Sequence, residues 1–78
     1  MMKLKDGFVI KKDSGELLCC YEYEDTPVLF IDYNDAFDNC LPNERVLRWK
    51  DLSSEECPKV FVLYKPNKYF TDFIVPLN

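Results

Sequence analysis

Short segments rich in β-branched and aromatic residues recur along the chain, and proline, glycine, asparagine and aspartate separate them. This alternation is typical of a strand-rich domain, because such side chains pack well on a pleated surface and the separating residues favour turns. Asp13, Ser14 and Gly15 lie between the first two segments and predict a hairpin turn. The segments that we interpret as strands are residues 7–12, 16–24, 28–33, 45–50, 59–65 and 69–75.

Two segments depart from the strand pattern. Residues 34–40 predict a short helix, with Asp32 or Asn34 as its N-cap. Ser53 and Glu56 have the spacing of a capping box, which predicts one further helical turn that Pro58 ends. The 78 residues suffice for a single domain, residues 1–78. We therefore predict an α+β, mainly β fold: a small antiparallel sheet or partly open barrel of five to six strands with one or two short helices.

Charge is distributed unevenly along the chain. Residues 1–12 carry four lysines against one aspartate, a net +3, and residues 45–78 carry six bases against four acids, a net +2. Residues 13–44 contain no lysine or arginine and have a net charge of −9. The modest formal charge of −4 therefore conceals a strongly negative middle segment.

Within that segment, residues 32–39 read DYNDAFDN, which invites comparison with a calcium loop. An EF-hand needs oxygen ligands at positions 1, 3 and 5, glycine at position 6 and glutamate at position 12. Counted from Asp32, these last three positions hold Ala36, Phe37 and Asn43. The pattern argues against a calcium site, and we expect neither a metal nor a cofactor.

The residues of an active site are also missing from the sequence. The chain has no histidine, so the usual general base is absent, and a cysteine nucleophile would lack its partner. Gly7 and Gly15 are the only glycines, which excludes a glycine-rich phosphate loop. We therefore predict that the protein is not an enzyme.

The four cysteines are Cys19, Cys20, Cys40 and Cys57, and none forms a C-x-x-C pair. We expect them to be reduced thiols that serve mostly as packing groups. The chain start lacks the apolar stretch of a secretory signal, and no apolar run is long enough to span a membrane. These features predict a cytoplasmic protein without membrane contact.

The acidic segment gives the leading functional hypothesis. Carboxylates on alternate strand positions, or at i, i+3 and i+6 of a helix, would form a negative array that attracts a basic protein. DNA presents a comparable array of phosphates, so a basic nucleic-acid-binding surface is the expected partner. Phe37 or exposed tyrosines would add anchors. The predicted protein-binding residues are Glu22, Glu24, Asp25, Asp32, Asp35, Asp38 and Glu44.

In size and charge the chain resembles the small acidic inhibitors that phages and mobile elements encode. The resemblance is one of composition, and it implies an inhibitor of the DNA-mimic type that binds no nucleic acid itself.

Three alternatives stay open at this point. The acidic segment would also keep a small protein soluble, and lysines from either end would then cover it. The basic ends, with Trp49, Tyr64 and Tyr69 as stacking rings, would instead form a weak nucleic-acid binder. If residues 69–75 form a sheet edge, that strand would pair with a second copy in a homodimer or larger assembly.

Overall fold

The computed structural model describes residues 2–4, 6–20, 25–64 and 73–76. In this part of the chain strands predominate, and they are joined by one short α-helix and one 3-10 helix. The predicted α+β, mainly β class is therefore confirmed. The elements are β1 (Met2–Leu4), β2 (Phe8–Lys11), β3 (Cys19–Cys20), β4 (Thr26–Leu29), α1 (Tyr33–Asp38), β5 (Arg45–Arg48), the 3-10 helix (Trp49–Asp51), β6 (Phe61–Leu63) and β7 (Phe73–Pro76).

The described strands form two small sheets, and neither closes into a barrel. Five strands pair in the order β1-β7-β6-β4-β3, and β2 pairs with β5 in a separate antiparallel ribbon. The larger sheet is mixed rather than antiparallel throughout, because β1 pairs with β7 and β4 with β6 in parallel. The chain leaves the sheet after β4, forms α1 and β5, and returns to enter β6. Such a crossover, unlike a tight hairpin, makes parallel neighbours.

The predicted first hairpin is present. The Gly15 amide donates to the Lys12 carbonyl oxygen at 2.9 Å, and the Lys12 amide donates to the Glu16 carbonyl oxygen at 2.8 Å. Gly15 has φ +93°, a conformation that glycine adopts without the strain a side chain would bring. The Leu18 amide then donates to the Ile10 carbonyl oxygen at 2.9 Å, which continues the ladder.

The two sheets are joined through β2. Phe8 and Phe30 exchange two backbone hydrogen bonds, of 2.7 and 2.8 Å, in an antiparallel bridge just beyond the end of β4. This bridge fixes the chain at the point where it leaves β4 and approaches α1. The start of α1 is therefore placed beside β2.

Successive residues of β2, β4 and β6 contribute to two different core clusters, as the alternation of a strand requires. Strand β6 shows it most clearly, since all three of its residues are buried. A strand that is covered on both faces reads as a continuous apolar run, which explains the composition of residues 60–64. The first core cluster contains Val9, Leu29, Trp49, Phe61 and Leu63, and the second contains Ile10, Val28, Phe30, Ala36 and Val62.

Several predicted boundaries move. The strand expected at 28–33 is Thr26–Leu29, and Tyr33 begins α1 because Asp32 caps the helix there. The strand expected at 45–50 ends at Arg48, although Leu47 and Trp49 do face the same core cluster. Among the described residues, the strand expected at 16–24 is reduced to Cys19–Cys20, and residues 21–24 lie outside the described part of the chain. Residues 69–72, the first part of the last expected strand, also lie outside it.

The final strand is interior to its sheet. Ile74 of β7 pairs with Met2 of β1 on one side and with Phe61 of β6 on the other. Both edges of β7 are therefore occupied, so the alternative in which this strand forms a free sheet edge does not hold for residues 73–76.

Candidate protein-binding surface

Helix α1 begins where the sequence predicts a cap. Asp32 has extended backbone angles, φ −98° and ψ 129°, and its Oδ1 accepts a hydrogen bond from the Asn34 amide at 2.8 Å. That bond satisfies one of the amides that every helix start leaves without an intrahelical partner. Asp35 adds a negative charge to the first turn, where the helix dipole favours it. Local chemistry therefore fixes the start of this six-residue helix.

One side of α1 is buried, and the side next to it presents two aromatic rings. Ala36 is fully buried in the second core cluster. Tyr33 and Phe37, one helical turn apart, stack with ring centroids 6.1 Å apart. Tyr33 also contacts Phe8 of β2 edge-on at 5.5 Å, which ties the pair to the ribbon. The two rings are nevertheless open to solvent: Tyr33 is 49% exposed and Phe37 61% exposed.

The carboxylates of α1 lie on the same short helix as this aromatic pair. Each helical residue turns the chain by about 100°, so Asp38 lies about 100° and Asp35 about 160° around the helix from Phe37. The two carboxylates are one turn apart on the side of α1 away from the rings. Asp32 and Asp38 are exposed, and Asp35 is half-buried. The helix and its cap thus carry three of the predicted acids on the same short element as an exposed aromatic stack.

Glu44 contributes to this region in a different way. Its Oε1 accepts a hydrogen bond from the Leu41 amide at 3.0 Å, and its own amide donates to the Leu41 carbonyl oxygen at 2.9 Å. These bonds hold the turn that follows α1. The turn leaves the Leu41 side chain 60% exposed, so Glu44 fixes an apolar group as well as contributing charge.

The other predicted binding residues do not join this group. Asp25 is exposed, has φ +58°, and precedes β4, whereas α1 follows the opposite end of that strand. Glu22 and Glu24 lie outside the described residues, so their placement beside the helix stays a prediction.

The ion pairs of the described residues use acids from outside residues 13–44. Lys11 Nζ is 2.8 Å from Glu56 Oε2, and Arg48 Nη1 is 3.9 Å from Asp6 Oδ2. Among the residues that the structure describes, no lysine or arginine pairs with an acid between residues 13 and 44.

Two exposed apolar residues beside α1 were missed by the sequence analysis. Ile31 is 55% exposed because its neighbour Phe30 points into the core and successive strand-like residues point in opposite directions. That alternation was the available signal for Ile31. Leu41 had none, since an isolated leucine before a proline is read as buried. We call Ile31, Tyr33, Phe37 and Leu41 the exposed apolar set, and we call this set together with Asp32, Asp35, Asp38 and Glu44 the α1 surface.

Of the three rings named for base stacking, one is buried in the core and one is half-buried. Trp49 is 3% exposed, and Tyr64 is half-buried with its ring 4.8 Å from that of Phe30. Tyr69 lies outside the described residues. The stacking platform of the nucleic-acid alternative therefore loses Trp49, and Tyr64 offers only part of its ring.

The cysteines are free thiols, and all four are half-buried. Burial raises the pKa of Cys19, with a further contribution from the Asp25 carboxylate, and burial raises that of Cys57. Burial and the nearby Glu44 carboxylate raise the pKa of Cys40. A raised pKa keeps a thiol protonated at neutral pH, which makes it a weak nucleophile and a weak metal ligand.

Compared with known proteins, the chain matches no family model, no curated sequence and no solved structure. Within the described residues, no helix is both long and apolar enough to cross a bilayer.

Proposed function

We propose that this is a non-enzymatic, cytoplasmic binding protein that docks its α1 surface on a basic, nucleic-acid-binding surface of a partner protein and thereby inhibits it. The observation that carries the proposal is the unpaired state of Asp32, Asp35 and Asp38 among the described residues. Their negative field is directed outward rather than neutralised by the chain's own described cations. The partner's lysines and arginines would complete these interactions.

The cost of this arrangement supports a role beyond solubility. Like charges three residues apart on one helix repel, which destabilises the helix slightly. Solubility alone would be served by acids placed anywhere on the surface and interspersed with bases. A role in solubility alone would also disfavour exposed aromatic rings such as Tyr33 and Phe37 in the same region.

The test compares two variants that change the net charge equally. The α1 variant carries Asp32→Asn, Asp35→Asn and Asp38→Asn. Asparagine at position 32 keeps the cap acceptor. The control carries Asp13→Asn, Glu16→Gln and Glu55→Gln, three exposed acids that are not part of the α1 surface.

Each protein is immobilised and used to capture proteins from lysate at about 50 mM and about 500 mM salt, with elution by duplex DNA. We expect basic proteins to be captured by the wild type and the control, to be released by DNA, and to be reduced about tenfold or more with the α1 variant. Equal losses in both variants, or captured proteins that are neither basic nor displaced by DNA, would contradict the proposal. The protein alone should not shift oligonucleotides in a gel.

A further inference from the structure

We infer that the partner surface combines basic residues with an apolar pocket, and that Phe37 is the side chain that enters this pocket. The inference rests on the proposed function and specifies the chemistry of the partner. It is carried by the exposed Tyr33–Phe37 stack on a six-residue helix that also bears Asp35 and Asp38, which no described cation pairs.

Exposed apolar side chains are concentrated at one place on the described surface. The large hydrophobic side chains that are exposed there all belong to the exposed apolar set, within residues 31–41. Isolated exposed hydrophobic residues are normal on any protein, but a local concentration marks an interaction site. Four such residues on one helix and its flanking turns form a concentration of that kind.

The aromatic pair is already ordered before any partner arrives. Tyr33 is held between Phe8, at 5.5 Å, and Phe37, at 6.1 Å. A ring held by neighbours loses little conformational entropy on binding and still offers a large apolar area. Phe37 is at the outer end of this chain of contacts and is the most exposed ring of the three. Phe37 is therefore the side chain that a partner's pocket would bury with the smallest loss of conformational entropy.

The neighbouring charges select what can cover the rings. Asp35 and Asp38 lie on the same six-residue helix as the two rings, and Asp32 is its N-cap. A second copy docked through the same surface would bring these acids against their own equivalents, which disfavours a symmetric dimer there. An anionic lipid surface would be repelled for the same reason. A basic partner with an apolar pocket satisfies both parts of the surface, and an aromatic anchor buried in a pocket is the usual centre of a binding hot spot.

The two parts of such a contact respond differently to salt. The carboxylates speed association and are screened at high salt, whereas burial of Phe37 slows dissociation and depends little on salt. A contact made by charge alone would be lost at high salt. A contact anchored by Phe37 would keep a salt-resistant part.

The probes are two synthetic helical peptides of about 14 residues with the same number of lysines, one with leucine and one with alanine at the apolar positions. Their binding to the full chain is measured by fluorescence anisotropy at about 50 mM and about 300 mM salt. We expect the leucine peptide to bind about tenfold or more tightly than the alanine peptide and to retain its binding better at the higher salt.

The double variant Phe37→Ser, Leu41→Ser keeps the charge and removes the anchor. It should bind both peptides alike, at the level of the alanine peptide on the wild type, and Phe37→Tyr should restore the preference. Circular dichroism checks that the fold is kept, as the exposure of both residues predicts. A leucine preference that survives in the double variant, no preference in the wild type, or no binding of either peptide would overturn the inference.

Two further outcomes separate this inference from the proposed function. If Asp35→Asn with Asp38→Asn leaves both peptides bound as before, the electrostatic basis of the proposed function fails although the leucine preference stands. If the wild type self-associates in sedimentation experiments and Phe37→Ser abolishes that association, a second copy is the occupant and the inferred pocket is wrong.

Discussion

Lys11 Nζ donates a hydrogen bond to Glu56 Oε2 at 2.8 Å and joins two positions 45 residues apart in the chain. Glu56 also closes the predicted capping box, since its Oε1 accepts from the Ser53 hydroxyl at 3.1 Å and Ser53 Oγ accepts from the Glu56 amide at 3.2 Å. One carboxylate therefore ties β2 to the turn after the 3-10 helix. Lys11, one of the cations of residues 1–12, is therefore paired with an acid that lies outside residues 13–44.

Replacement of Glu56 by glutamine should destabilise the protein in a pH-dependent way. Hydrogen bonds from Lys11 and then Ser53 hold the pKa of Glu56 below its ordinary value of 4.5. The folded state therefore binds the proton less readily than the unfolded state. The stabilisation is present above the unfolded pKa and is lost as the pH falls through the folded pKa. Urea unfolding should show a lower midpoint for Glu56→Gln at pH 7 and a vanishing difference once the wild-type carboxyl is protonated.

Glu55→Gln is the matched control for this experiment, because Glu55 is the exposed neighbour of Glu56. Its midpoint should stay close to that of the wild type at every pH. A deficit of Glu56→Gln that is as large at pH 3 as at pH 7 would show that the Lys11 contact is not its cause.

Asp32 allows the helix cap and the charge of the α1 surface to be separated. Asp32→Ala removes the acceptor for the Asn34 amide and should cost about 1 kcal/mol in the free energy of unfolding. Asp32→Asn keeps an acceptor and should cost much less, while it reduces the negative charge of the surface. Chemical denaturation measures both. Equal losses for the two variants would indicate that charge, rather than the hydrogen bond, stabilises the helix start.

Truncation of Phe30 and truncation of Phe37 should differ greatly in how much they destabilise the protein. Phe30 is 1% exposed in the second core cluster, and Phe30→Ala should cost about 3–5 kcal/mol. That is a large part of the total stability of a domain of this size, so Phe30→Leu serves as the milder variant. Phe37→Ala should change the unfolding free energy by less than about 0.5 kcal/mol. A large loss at Phe37 would show that its ring supports the fold rather than a partner.

Local signals in the sequence were reliable where a few neighbouring residues decide the structure. The Asp32 cap, the Gly15 turn and the Ser53–Glu56 box each depend on contacts within a few positions, and all three are present. Strand pairing was less predictable. The parallel pairing of β4 with β6 depends on which distant segments meet after α1 and β5 have formed, and no short pattern encodes that choice.

The candidate site was predictable in its charges but not in its apolar part. The acids of residues 32–38 are visible in the sequence, and one cap was enough to place them on a helix. The exposure of Ile31 and Leu41 follows instead from how the chain turns at either side of α1. Sequence patterns assign apolar residues to the core by default. An exposed apolar residue can therefore be recognised only once the structure shows which other residues fill the core.

Cys19, Cys40 and Cys57 should react slowly with a thiol-specific reagent such as Ellman's reagent in the native state. Burial raises the pKa of Cys19, Cys40 and Cys57, so the reactive thiolate is scarce at neutral pH. Denaturation in urea removes the burial and should make all of them react as fast as a model peptide thiol. If any of these three thiols reacted at the peptide rate in the folded protein, that result would contradict the described packing.

Trp49 provides a test of the core that does not depend on the proposed function. Its side chain is 3% exposed, and within the described part of the chain its indole Nε1 has no hydrogen-bond partner. Trp49→Phe removes this unsatisfied donor, which is favourable, and also removes packed ring atoms, which is unfavourable. The two effects oppose each other, so we expect the unfolding free energy to change by less than about 1 kcal/mol, measured by circular dichroism in urea. Trp49→Ala should lose about 3–5 kcal/mol because it leaves a cavity. A comparable loss for Trp49→Phe would mean that the indole N–H makes a stabilising hydrogen bond in solution.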